Sequence, residues 1–215
     1  MEITFGGERL ILLADRALYW PAFRTLVLAD VHLGKDASFR AAGLPVPVGN
    51  SVKDLARIER LLVATAAQRL TILGDLVHNR KAHQAELMQA FTQWRCTHKR
   101  LEVILIRGNH DRHAGPCPEE WAVNQVTEPF DAGPLSLAHF PRNSEKPLLC
   151  GHVHPTVAVR DFDRTFASIP CFVADPNQLI LPAFGSFTGG HTATASPGRA
   201  IYISTGKSVA TASKW

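Results

Sequence analysis

Apolar positions recur along the chain with two different periods. Leu10 to Leu13, Ala17 to Trp20 and Thr25 to Ala29 are short runs that read as strands. A loop rich in Gly and Pro, Gly43 to Gly49, follows. Beyond it, Leu55, Ile58, Leu61 and Leu62 share one face at helical spacing. Ser51 and Asp54 precede that face with the spacing of a capping box. Leu70 to Leu73 and Leu101 to Ile106 read as buried strands. Between them a helix is expected from Ala82 to about His98, with Leu87, Phe91 and Trp94 on one side. After residue 115 the pattern changes to short strands broken by Pro and Gly: Leu135 to Ala138, Leu148 to Gly151, Thr156 to Val159, Gln178 to Leu181 and Ala200 to Ser204. Strand–helix alternation followed by strands predicts a mixed α/β fold with two facing sheets and helices outside, in four layers α-β-β-α. No repeat or low-complexity linker intervenes, so residues 1–215 are expected to form one domain.

Composition narrows the class further. Hydrophobic residues make up 46% and charged residues 20%, which excludes a disordered, collagenous or coiled-coil chain. No apolar run nears the roughly 20 residues of a membrane span, and the start MEITFGGERL carries no signal-peptide pattern. No membrane partner is expected. Four cysteines with no CxxC pair are expected as reduced thiols, mostly in or near the core, of a cytoplasmic protein. The net charge of +4 favours anionic partners only weakly. The ten histidines are the sharper feature, because imidazole is both a common metal ligand and a proton carrier near neutral pH.

Their placement is not random. Thr25 to Ala29 runs into Asp30-Val31-His32, and Leu70 to Leu73 into Gly74-Asp75. Leu101 to Ile106 leads through Arg107 to Gly108-Asn109-His110-Asp111. Leu135 to Ala138 delivers His139, and Leu148 to Cys150 delivers Gly151-His152-Val153-His154. Strand ends that converge in one cleft are where α/β folds build their sites. An Asp-x-His alone is expected about 0.5 times by chance in such a chain, whereas Gly-Asn-His-Asp is expected about 0.001 times. Carboxylates, an amide oxygen and imidazoles suit borderline divalent ions such as Mn, Fe, Zn or Ni. The absence of cysteine argues against a structural zinc site. Seven such residues exceed one tetrahedral ion but suit two ions sharing a carboxylate.

The order D-x-H, G-D, G-N-H-D, H, G-H-x-H resembles the calcineurin-like metallophosphoesterase superfamily. That resemblance implies Asp30, His32 and His154 on a first metal, Asn109, His139 and His152 on a second, and Asp75 bridging both. It implies two divalent ions, Mn2+ foremost, with a hydroxide between them as nucleophile. It also implies His110 as the group that stabilises the transition state and protonates the leaving oxygen. Asp111 either orients that imidazole or caps the turn that follows.

His32 to Arg40 with Gly43 to Pro47, Gly74 to His78, and Leu181 to Gly190 are similar to one bacterial branch, the ligase-associated metallophosphoesterases. Membership there implies a DNA phosphodiester substrate, an endonuclease role in DNA repair, and association with an ATP-dependent ligase and a helicase. Lys35 and Arg40, expected in the Gly/Pro loop, either grip a phosphate or are solvated charges. His78 either reaches substrate or is a plain loop residue. His83, His98, His113 and His191 read as surface histidines. A small phosphodiester or nucleotide is the alternative substrate, and a non-catalytic scaffold the least favoured reading. A protein phosphatase is disfavoured, because Leu76-Val77-His78 and Asp111 stand where that branch carries other residues.

Overall fold

The computed structural model describes residues 1–79, 85–160 and 166–212. Among these residues the strands gather into two sheets. The first opens as an antiparallel meander of β1 (Glu2–Phe5), β2 (Glu8–Leu13), β3 (Ala17–Trp20) and β4 (Thr25–Ala29). From β4 it continues in parallel through β5 (Arg69–Leu73), β6 (Glu102–Ile106) and β7 (Val123–Val126). Helices α1 (Lys35–Ala41) and α2 (Asn50–Thr65) connect β4 to β5. Helix α3 (Ala85–Thr97) precedes β6, and the short α4 (Asn109–Ala114) follows it. Ala29 pairs with Leu73, and Leu73 with Ile106. Three segments therefore leave the sheet side by side at one edge.

The second sheet contains β8 (Phe130–Ala132), β9 (Leu135–Leu137), β10 (Leu148–Cys150), β11 (Pro155–Arg160), β12 (Phe166–Asp175), β13 (Gln178–Ile180), β14 (His191–Thr192), β15 (Ala200–Ser204) and β16 (Val209–Thr211). Strands β9, β10 and β13 are parallel, with Leu137 opposite Leu149 and Cys150 opposite Ile180.

Alternation along the parallel strands divides the core. Leu26, Leu28, Leu70, Ile72, Val103 and Leu105 face α2 and α3. Val27, Ala29, Leu73, Ile104 and Ile106 face Leu137, Leu149 and Leu179 of the second sheet. Burial on both faces explains why these strands read as unbroken apolar runs. The mixed α/β class with two facing sheets is as expected. The cluster on the far face of the second sheet, including Leu148, Cys150 and Val173, contains no described helical residue.

Local details depart from expectation. Helix α2 starts at Asn50, one residue before Ser51, because Gly49 takes the N-cap position at φ 83°. Ser51 is thus inside the helix, and no capping box forms. Its hydroxyl accepts from the Gly34 N–H (2.9 Å) and donates to Asp36 (3.3 Å). Lys35 and Arg40 lie on α1 rather than in the Gly/Pro loop. Cys150 and Cys171 are buried, Cys117 is half-buried and Cys96 is exposed; all four are free. The expected helix start at Ala82, and His83, fall outside the described residues.

Phe91 of α3 is 1% exposed and packs its ring 4.2 Å from Trp121 and 5.4 Å from Trp94. Phe91→Ala is expected to lower unfolding free energy by about 3–5 kcal/mol, read by urea denaturation. A loss below about 1 kcal/mol would contradict a close-packed α3 interface.

Candidate metal centre

The strand ends turn sharply as they leave the sheets. Asp30 (φ 54°), His32 (φ 50°), Asp75 (φ 54°), His152 (φ 67°) and His154 (φ 50°) all adopt left-handed backbone. Non-glycine residues rarely do so, and such conformations persist where surrounding bonds over-determine them. Here the Asp30 N–H donates to the Gly74 carbonyl (3.2 Å) and the His32 N–H to the Asp75 carbonyl (2.8 Å). The turns aim five side chains at one space between the sheet edges.

Three candidate ligand groups result, the last of them His32, His78 and His110. Asp30, His32 and His154 form the first, and Asp75, His139 and His152 the second, with the donor atoms of each group within 4.8 Å of one another. Asn109 joins the second group through Oδ1, 3.0 Å from His139 Nε2. His139 Nδ1 donates to the Leu73 carbonyl (3.0 Å), so its Nε2 carries a lone pair facing His152 Nδ1 (3.0 Å) and Asp75 Oδ2 (3.5 Å). His154 Nδ1 likewise donates to the Gly189 carbonyl (3.1 Å), leaving Nε2 3.2 Å from Asp30 Oδ1. Asp75 Oδ2 stands between the groups, 3.9 Å from His32 Nε2 and 4.0 Å from His110 Nε2.

This packing is electrostatically incomplete. Asp30 and Asp75 are 0% and 1% exposed, and among the described residues no Lys or Arg forms an ion pair with either. Asp30 Oδ1, both ring nitrogens of His32 and His154 Nε2 are buried without a hydrogen-bond partner. Orphaned donors and acceptors of this kind are costly unless something coordinates them. Burial, with Asp30 and Asp111 nearby, pushes the Asp75 carboxyl up to about 8. Burial likewise pushes the His32 imidazole well below its usual range, and Lys35, His154, His110 and His78 add repulsion. His78 falls to about 4 through burial, with His110 and Lys35 contributing, and His152 is lowered by burial and His139. Buried carboxyl oxygens beside imidazole nitrogens fit divalent cations.

Asp111 is placed differently from one expectation. Its carboxylate accepts from the N–H groups of Asp75 (2.7 Å), Gly108 (3.0 Å) and Val77 (3.2 Å), and it makes no bond to the His110 ring. It caps α4 and braces the Asp75 turn. The His110 ring is oriented by the His78 carbonyl, which accepts from Nδ1 at 2.6 Å, and the two rings stack with centroids 4.8 Å apart. Lys35 lies beside His32 in a small crevice between α1, α2 and residues 185–188; burial lowers its pKa while Asp30 and Asp75 oppose the shift. Arg40 does not line that crevice. Its guanidinium pairs with Asp36 (3.2 Å) and the Pro47 carbonyl (3.1 Å), bracing α1 against the following loop.

The calcineurin-like phosphoesterase profile matches residues 23–176. The chain belongs to that family. Among solved structures it is similar to Pseudomonas putida nuclease MPE, with 41% identity over 95% of this chain and 96% of that chain, at a TM-score of 0.84. Two others are the Aquifex aeolicus protein of unknown function AQ665 and Yfce, a phosphoesterase from E. coli. AQ665 has 16% identity, coverage of 60% of this chain and 78% of that chain, and a TM-score of 0.41. Yfce has 16% identity, coverage of 83% and 86%, and a TM-score of 0.39. No match was found among curated proteins. Calcineurin-like phosphoesterases are dimetal-dependent, and the His and Asp groups here could bind metals.

Two supports of this phosphoesterase site escape a reading of motifs. Glu128 accepts from the N–H groups of His139 (2.7 Å) and Phe140 (3.1 Å) and pairs with Arg142 (2.8 Å). Nothing in its sequence neighbourhood marks it, because the segment it serves is reached only through the fold. Glycines are the second support. A Cβ on Gly108 would collide with Asp75 Oδ1, and one on Gly151 with Asp30 Oδ2. The glycines of G-N-H-D and G-H-x-H therefore let backbone close on the carboxylates.

Because Asp75 holds a proton below about pH 8 in the metal-free fold, metal uptake must expel it. His32, His78 and His152 are lowered and neutral at pH 7, so they release none. Calorimetry in buffers of different ionisation enthalpy is expected to show about one proton released at pH 7. Affinity should rise about tenfold per pH unit and level off near pH 8. No release, or a plateau already reached near pH 5, would contradict this placement of Asp75.

Proposed function

We propose that this phosphoesterase is a dimetal-dependent phosphodiesterase whose substrate is DNA, a ligase-associated nuclease acting in repair with an ATP-dependent ligase and a helicase. The observation that carries the reading is the 41% identity, across nearly the full length of both chains, to a protein described as a nuclease. The site supports the chemistry. Asp30, His32 and His154 would hold one ion, Asn109, His139 and His152 the other, and Asp75 both. The mixed oxygen and imidazole donor set suits Mn2+, with Fe, Zn or Ni as alternatives. Two such ions would bring the pKa of a water toward neutrality and draw charge from the phosphoryl oxygens.

The chain's own groups do the rest. His110 has its Nδ1 committed to the His78 carbonyl, so Nε2 is the nitrogen that carries a proton to the departing oxygen. Lys35, beside His32 and coupled electrostatically to Asp30 and Asp75, would supply positive charge for a phosphate. His78 stacks against His110 and keeps its ring in place. Asp111 acts indirectly, by holding the backbone from which Asp75 and α4 project.

A small phosphodiester is the second reading. It is favoured by one observation: of the two basic candidates, only Lys35 lies beside a candidate ligand, His32, while Arg40 is tied to Asp36. Mn2+-dependent hydrolysis of an aryl phosphodiester, an aryl phosphomonoester and plasmid DNA tests both. The wild type is expected to cleave diester and plasmid, and His110→Ala to lower diester turnover by about 10²–10⁴-fold. Diester hydrolysis with intact plasmid would establish the second reading. No metal-dependent turnover of any ester would overturn both.

A further inference from the structure

The segment 184–190 follows β13 and crosses the edge where β4 ends. It is bonded to both outer members of the first ligand group. The Phe184 N–H donates to the Ala29 carbonyl (2.8 Å), and the Gly185 N–H to the Asp30 carbonyl (3.1 Å). At its other end the Gly189 carbonyl accepts from His154 Nδ1 (3.1 Å), and the His191 N–H donates to the His154 carbonyl (3.1 Å). A Cβ on Gly185 would strike the Val31 carbonyl, and one on Gly190 the His154 carbonyl. The segment therefore lies flush against the backbone of two candidate ligands.

Something must hold it there, since Ser186, Gly189 and Gly190 are exposed. The restraint comes from α2. Asp54, 4% exposed, accepts from the Ser186 N–H through Oδ2 (3.2 Å) and from the Ser186 hydroxyl through Oδ1 (2.7 Å). Arg57 donates from Nη1 to Asp54 Oδ1 (2.8 Å) and to the Phe184 carbonyl (2.9 Å), and from Nη2 to the Asp15 carbonyl (2.8 Å). Its guanidinium also lies 4.0 Å from the centre of the Phe184 ring. A buried carboxylate that is paired and fully hydrogen-bonded is a stiff anchor, because releasing any one partner leaves charge unsatisfied.

We infer that Asp54 and Arg57 form a clamp that positions His154 through segment 184–190, and so set the affinity of the first ion's site. The inference rests on the reading of Asp30, His32 and His154 as ligands. Asp54 and Arg57 are positioning residues, touching neither ion nor substrate. The path is short: Asp54 fixes Ser186, Ser186 fixes the loop, and Gly189 fixes the imidazole tautomer that leaves Nε2 free. Outer partners of metal-bound histidines govern affinity in this way.

The test is Mn2+ titration by calorimetry on wild type, Asp54→Ala and Ser186→Ala. Amide exchange of residues 184–190 is measured beside it in the metal-free protein. Wild type is expected to bind two ions. Asp54→Ala should weaken one site by about 10–100-fold and spare the other, with faster exchange over 184–190. Its kcat for an aryl phosphodiester should fall while KM holds. Ser186→Ala removes one bond at an exposed residue, so folding is safe, and about a threefold weakening of the same site is expected. Unchanged affinities in folded Asp54→Ala overturn the clamp. If that variant does not fold, unchanged affinity and exchange in Ser186→Ala overturn it instead. A wild type that takes up no Mn2+ overturns the ligand reading and the inference with it.

Discussion

Two carboxylates, Asp30 and Asp75, are buried at the ends of adjacent parallel strands, and among the described residues no Lys or Arg forms an ion pair with either. The architecture around them is a response to that constraint. Asp30 Oδ2 accepts from the His152 N–H (2.8 Å), and Asp75 Oδ1 from the His110 N–H (2.9 Å). Each therefore spends one oxygen on backbone and presents the other to the space between the sheets. The first bond ties the second sheet to the first, and the His139 to Leu73 bond does the same beside it. The candidate metal centre is thus also a seam of the sandwich. Divalent cations would relieve the buried charge, which makes fold and chemistry dependent on the same groups.

Much of this was legible from residue order. Apolar runs ending in Asp, Asn or His are informative because a parallel strand delivers its last residue to a fixed edge, and the register of β4, β5 and β6 places Asp30, Asp75 and Asn109 there. The helix faces of α2 and α3 followed from periodicity for the same reason: their apolar stripes meet one face of the first sheet. What was not legible depends on tertiary partners. Ser51 and Asp54 match a capping box in spacing, yet each has a stronger partner in another segment, Gly34 and Ser186. Strand β12 carries Pro170 in its middle, which argues against a strand by composition, and its pairing with β11, β13 and β15 overrides that. Helix α4 is six residues long and has no apolar stripe to detect.

The roles of Asp111 and Arg40 show how far residue type reaches. An Asp one position from His110 suggests a dyad, but α4 directs its carboxylate back to Gly108, Asp75 and Val77. Arg40 lies near the first motif in sequence, but on α1 it faces Asp36 and Pro47. Both side chains stabilise segments that hold the candidate site. Such support is read from geometry, since the same residue types serve either purpose.

The account stands on Asp75 lying between two ion sites. Anomalous diffraction from crystals grown with Mn2+ tests this most directly. The predicted result is two peaks about 3.5–4 Å apart, one against Asp30 and His154, the other against Asn109, His139 and His152, with Asp75 touching both. A single peak, or peaks away from Asp75, would contradict it.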